Sequence, residues 1–140
     1  MNAFSNSATT SATATLAAFA ANLKTADIPE HVLRKTEDLW VDWFGSAIAG
    51  HGSRPVETLT TFALSMGPAS GPSEVFTNRS TSSPYWAAMA NAAASHVAEQ
   101  DDVHNGSVFH PATVVFPPVL AVAQALGTTG AQLITAAVVG

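Results

Sequence analysis

"PYWAAMANAAASHVAE", residues 84–99, decides how the rest of the chain is read. Ser83 and Pro84 are spaced as the N-cap and first residue of a helix. Alanine then recurs on several faces of that helix, where a surface helix would carry one apolar stripe. Small side chains let neighbouring helices approach closely. The stretch is therefore expected to be a central helix packed on all sides, and the fold class to be all-α and bundle-like.

Working outward, each neighbouring segment fits a helix laid against that centre. On the C-terminal side, residues 112–126 form an apolar helix pattern, and another starts at about Thr129. On the N-terminal side, "GPASGPSEVFTNRSTSS" (67–83) is a Gly/Pro/Ser-rich connector, with a short extended piece expected at Glu74–Phe76. Before it come helices expected at about 55–66, 29–49 and 11–23. The 29–49 helix should open with Asp27 and Glu30 as a capping box and end at Gly50 and Gly52. Its second half, "WFGSAIAG", is nearly all apolar and is expected to be deeply buried. Residues 1–10 are small and polar, and their composition predicts disorder. One domain is expected over 11–140.

Composition narrows the function classes. The 140 residues are 47% hydrophobic and 11% charged, with a net charge of −5. An ordinary soluble domain is about 25% charged, so much apolar surface should be covered by a partner subunit or by more chain. No basic stripe is present, which argues against nucleic acid. A Lys/Arg cluster for anionic lipid is also missing. Cysteine is absent, which removes disulfides and thiolate chemistry. Pro117-Pro118 and "GTTG" (127–130) divide the apolar C-terminal half into runs shorter than the roughly 20 residues of a membrane span. The N-terminus lacks the basic and apolar regions of a secretory signal. A cytoplasmic protein is expected. The chain stops at "LITAAVVG", inside an apolar helical pattern, and is expected to be a fragment of a longer protein.

Chemistry is concentrated in "EQDDVHNGSVFHP", residues 99–111. Glu99, Asp101, Asp102, His104 and His110 crowd together there, and no Lys or Arg follows Arg79. His96 lies one turn before Glu99 and can face the same cleft. Pro111 favours extended backbone at His110, and Gly106 permits a turn between the imidazoles. Desolvation and like charge both raise a carboxyl pKa, while neighbouring carboxylates raise and burial lowers that of an imidazole. Such opposing pushes yield an acid and a base usable near neutral pH. The motif thus offers proton transfer without a covalent nucleophile.

Two other readings of these residues stand beside that one. The stretch can be a solvated acidic turn with incidental histidines, although apolar sequence flanks it on both sides. His96, Asp101, Asp102, His104 and His110 could instead ligate Zn, Mn or Fe, but their spacing matches no specific metal pattern. Ser107 lacks a nucleophile-elbow setting. His31 and His51 read as surface residues, and Trp40, Trp43, Trp86 and Tyr85 as core.

Four segments in this order, "ADIPEHVLRKTEDLWVDWFGSAIAG" (26–50), "AAMANAAASHVAEQDDVH" (87–104), "HPATVVFPPVLAVAQALG" (110–127) and "TTGAQLITAAVVG" (128–140), resemble the N-terminal part of the MmgE/PrpD family, the 2-methylcitrate dehydratase-like proteins. The D-x-x-G-x-x-x-A-G pattern at Asp42–Gly50 supports the likeness. The resemblance implies a helical domain, here without the family's smaller lid domain, and usually a homodimer. It implies chemistry on small polycarboxylates: dehydration of 2-methylcitrate, decarboxylation of cis-aconitate or epimerisation of iminodisuccinate. The shared step is proton transfer at carbon next to a carboxylate, with no cofactor and no obligatory metal.

On that resemblance Asp101, Asp102, His104 and His110 are the expected catalytic residues, with Glu99, His96 and Ser107 beside them as substrate-binding residues. Val103 stands where dehydratase and decarboxylase relatives usually carry Thr, Ala112 where they often carry Ser, and Glu99 where Asp is common. A Thr hydroxyl can hydrogen-bond a substrate carboxylate and Val cannot, which leaves the substrate open. A polycarboxylate also needs cations to hold it. With none after Arg79, those are expected from further chain or another subunit, and the 140-residue piece alone is expected to be inactive. A helical dimerisation or interaction module without chemistry is the alternative, using apolar faces around Trp43–Ile48 and Val114–Leu126.

Overall fold

The computed structural model describes residues 11–140, so the expected disorder of residues 1–10 lies outside the described residues. Six α-helices are present among the described residues: α1 (Ala12–Asn22), α2 (Glu30–Ala49), α3 (Arg54–Met66), α4 (Pro84–His96), α5 (Pro111–Leu126) and α6 (Gly130–Val139). A single antiparallel hairpin joins α3 to α4, made of β1 (Ser73–Val75) and β2 (Ser80–Ser82). Its register pairs Ser73 with Ser82 and Val75 with Ser80. The protein is mostly helical, and the connector expected to be irregular supplies this short two-stranded piece.

The alanine-rich helix is the centre of the packing. α4 touches α2, α3, α5 and both strands. Ala87, Ala90 and Ala94 are buried against these neighbours. The approach is close where α2 ends: a methyl group added at Gly50 would sit 2.1 Å from the Ala94 carbonyl oxygen. Asn91, also buried, fastens the hairpin to α4. Its Oδ1 accepts from the Phe76 amide at 2.9 Å, and its Nδ2 donates to the Glu74 carbonyl at 2.8 Å. These bonds satisfy backbone groups that lie beyond the two-stranded ladder's own pairing.

A second core lies where α2, α5 and α6 meet. Trp43 is fully buried there beside Ala112, Phe116 and Ala137. Trp40 stacks on Phe116 with ring centroids 4.3 Å apart and planes 9° from parallel, and Trp43 meets Phe116 edge-on. Pro117 and Pro118 sit inside α5 and do not break it. Lacking N–H groups, they leave the carbonyls of Thr113 and Val114 without the usual helical donor. Gly127, at a positive φ of 63°, ends α5, and Thr129 with Gln132 forms a reciprocal capping box on α6.

Several local expectations are corrected. Asp27 does not cap α2: it ends a 3-10 turn over Thr25–Asp27, Pro29 takes the cap position, and Glu30 pairs with Arg34 at 3.0 Å. The "WFGSAIAG" half of α2 is buried on one face only. Trp43, Ser46, Ala47 and Gly50 point inward, while Phe44 and Ile48 stay exposed. Tyr85, expected in the core, is also exposed, at the first turn of α4. Leu16 and Phe19 of α1 face outward, and α1 has no buried residue. His31 and His51 are exposed, as surface residues should be. Among the described residues no helix is long and apolar enough to cross a membrane.

Candidate active site

The end of α4 and the start of α5 hold the ionisable residues between them. α4 finishes at His96, and Glu99 adopts a positive φ of 48° that turns the chain sharply back. The turn is closed by the Glu99 amide on the His96 carbonyl at 2.9 Å. The reversal tucks Asp101 beneath His96, and its side chain has no exposed surface. His110 occupies the N-cap position of α5 with extended-side dihedrals of −105° and 86°, as expected for a residue before proline.

Asp101 is the hub. His96 Nδ1 lies 3.1 Å from its Oδ2 and 3.3 Å from its Oδ1. Thr113, in the first turn of α5, donates its hydroxyl to Oδ2 at 2.7 Å. His110 Nδ1 is 3.2 Å from the same Oδ2, but off the N–H axis, so this buried nitrogen has no aligned hydrogen-bond partner. The two imidazole centroids are 4.8 Å apart, with ring planes inclined at 69°. Burial pushes the Asp101 carboxyl up, but the hydrogen bonds from Thr113 and His96, a backbone bond and the charge of His96 together hold it below its ordinary value. The upward shift expected from crowded carboxylates is therefore corrected for this residue: donors, and not like charges, surround it.

The other loop residues have different partners. Asp102 Oδ1 accepts from the Ala112 amide at 3.0 Å, placing a carboxylate at the positive end of α5. His104 and Ser107 are exposed and bonded to each other at 2.9 Å. They belong to a small turn closed by the His104 amide on the Phe109 carbonyl at 2.7 Å. The left-handed residue of that turn is Val108, at a φ of 50°, and not Gly106. Glu99 is exposed. The structure thus brings His96, Asp101 and His110 together, sets Asp102 on the helix end below them, and gives His104 and Ser107 a turn of their own.

Sequence reading missed Thr113 and Ser95. Ser95 is buried, and its Oγ lies 3.1 Å from Thr113 Oγ1 and donates to the Ala92 carbonyl at 2.9 Å. The available signal was a hydroxyl just before His96 and another three residues after His110. Ligand atoms of His96, Asp101 and His110 lie within 4.8 Å of one another, a set that could hold a divalent ion. Chemically, the buried carboxylate can fix which ring nitrogen of His96 carries the proton, and it leaves both half-exposed imidazoles able to exchange protons with a substrate.

A family model described as the MmgE/PrpD N-terminal domain matches residues 14–140. A cis-aconitate decarboxylase of Aspergillus terreus (strain NIH 2624 / FGSC A1156) is 32% identical over 133 residues, covering 91% of this chain and 27% of that protein. A second cis-aconitate decarboxylase of Aspergillus terreus is 32% identical over 127 residues, covering 87% of this chain and 26% of that protein. The chain therefore spans about a quarter of the length of these relatives. No solved structure matches.

Proposed function

The chain belongs to the MmgE/PrpD family, and from that premise we propose that it forms the N-terminal part of a lyase or isomerase acting on a small polycarboxylate. The reaction is proton transfer at a carbon next to a carboxylate, as in decarboxylation of cis-aconitate, dehydration of 2-methylcitrate or epimerisation of iminodisuccinate. His110 exchanges the proton, His96 lies beside it, and Asp101 orients the His96 ring. Asp102 steadies the start of α5, and His104, Ser107 and Glu99 meet substrate from the loop. The protein works as a cytoplasmic homodimer, needing no cofactor or metal.

The observation that supports this reading best is the sharing of one solvent-shielded carboxylate by two imidazoles. The side chains of His96 and His110 are 49% and 33% exposed, so both rings can meet a substrate while the carboxylate between them stays shielded. The cations that hold a polycarboxylate come from other parts of the protein, because residues 80–140 contain no Lys or Arg. Assaying the full-length protein on these three substrates, with His110→Ala as control, tests the proposal. Failure to turn over any of them would reject it.

The alternative, a helical interaction module, is favoured by one feature: Val41, Phe44 and Ile48 form an exposed apolar row on α2. A full-length protein that dimerises through α2 and turns over no polycarboxylate would support that reading instead.

A further inference from the structure

Asp101 carries a donor that the histidine motif does not account for. Its Oδ2 takes the Thr113 hydroxyl at 2.7 Å, the shortest of its side-chain contacts. Behind Thr113 stands the buried Ser95 hydroxyl at 3.1 Å. A hydroxyl has one proton to give. With Thr113 donating to Asp101, the single Ser95 proton goes either to the Ala92 carbonyl or to Thr113, and in the second arrangement the chain of hydroxyls runs towards the carboxylate.

We propose that Thr113, backed by Ser95, is a positioning residue that holds Asp101 as an acceptor only, so that His96 carries its proton on Nδ1 and turns Nε2 to the substrate side. Its catalytic meaning rests on the proton-transfer reading of the site. The physical ground is lone-pair occupancy. A protonated Asp101 would itself need an acceptor, and an imidazole nitrogen facing it would have to give up its Nδ1 proton. Thr113 favours the opposite arrangement, because its donated bond is worth most when the carboxylate is charged. The ionisable groups facing Asp101 are His96, from the end of α4, and His110, at the head of α5. Asp102 is engaged with the Ala112 amide. The side-chain bonds of Thr113 and Ser95 run to Asp101, to each other and to the Ala92 carbonyl, so their effect on the imidazoles passes through Asp101.

The test uses ¹⁵N-imidazole and ¹³C-carboxyl NMR on the full-length protein without substrate. In the wild type, neutral His96 should show the Nδ1–H tautomer. Thr113→Val should mix in the Nε2–H tautomer and move the Asp101 titration midpoint to higher pH, and Thr113→Ser should restore both. Ser95→Ala should shift both readouts in the same direction by a smaller amount, which keeps the idea testable if Thr113→Val does not fold. Unchanged tautomers and an unchanged Asp101 midpoint in these variants would overturn the assignment. In turnover, Thr113→Val should lower kcat without raising KM and move the acid limb of the pH profile upward. Shifted tautomers with unaltered turnover would leave the positioning role standing and reject the proton-transfer reading.

Discussion

The Thr113 hydroxyl donates to Asp101 Oδ2 across 2.7 Å, tying the loop after α4 to the first turn of α5. This bond couples the candidate site to the packing of the whole bundle. α4 and α5 are in close contact along their length, and Ala112, next to Thr113, is buried in the Trp43 core. Small shifts of either helix would therefore be felt at the Asp101 carboxylate.

Replacing His110 with alanine in the full-length protein should slow turnover by roughly 10²–10⁴-fold, the usual contribution of a general acid or base. The fold should persist, since His110 is a partly exposed N-cap residue making no side-chain cap bond. Steady-state kinetics alongside a thermal melt checks both halves. Activity within a few-fold of wild type would remove His110 from the proton-transfer role.

Acid should reveal the Asp101 network through stability. Its carboxyl is held below its ordinary value in the folded protein. A depressed folded pKa adds stability that is complete above the unfolded value and is lost as pH falls through the folded one. Denaturant unfolding measured from pH 5 downward should show that loss beginning near the unfolded value. Asp101→Asn should be less stable near neutrality and should lack this component of the acid decline. An identical pH dependence in the variant would show that Asp101 gains nothing from its donors.

Gly50→Ala probes the crossing of α2 and α4. The added methyl group would meet the Ala94 carbonyl oxygen at 2.1 Å and the Val97 side chain at 2.8 Å, so one helix must move. Overpacking of this kind costs about 1–3 kcal/mol. A urea midpoint equal to that of wild type would mean that the helices are not so closely apposed.

Asn91→Leu removes the clamp on the hairpin. The Phe76 amide and the Glu74 carbonyl would both lose their partner. Leaving a buried polar group unpaired costs about 1–3 kcal/mol. Hydrogen exchange at the Phe76 amide should accelerate more than at amides within α5, and equal protection in both proteins would contradict the clamp.

For the metal alternative, dialysis of the full-length protein against a chelator should leave turnover unchanged. The His96 Nδ1 is hydrogen-bonded to a carboxylate that also accepts from Thr113, so hydrogen bonding accounts for that part of the set. Loss of turnover on chelation, with recovery on adding back one divalent ion, would assign the His96–Asp101–His110 set to a metal.

Much of the architecture was legible from local pattern. Alanine on several faces placed α4 at the centre, and Pro84, Gly127 and Thr129 marked helix ends within a residue or so. These signals are local because capping and periodicity act within one or two turns. Asp27 misled because a 3-10 turn competed for the same residues and brought Pro29 to the cap. The burial of "WFGSAIAG" was overestimated because apolar composition does not say which faces meet a neighbour: Trp43 and Ala47 meet α5 and α4 cores, and Phe44 and Ile48 do not.

By itself the sequence determined a helical chain with one ionisable loop between two apolar helices and no cation near it. Which groups of that loop act together was decided by tertiary structure. Asp101 is adjacent to Asp102 in the chain, yet the sharp turn at Glu99 buries the first under two imidazoles while the second caps the amide of Ala112. Thr113 and Ser95 reach that carboxylate network from 12 positions after and six before Asp101, distances that no helical period connects. The reason is directional: a hydrogen bond depends on where lone pairs point after the helices have packed, and residue order alone does not carry that orientation.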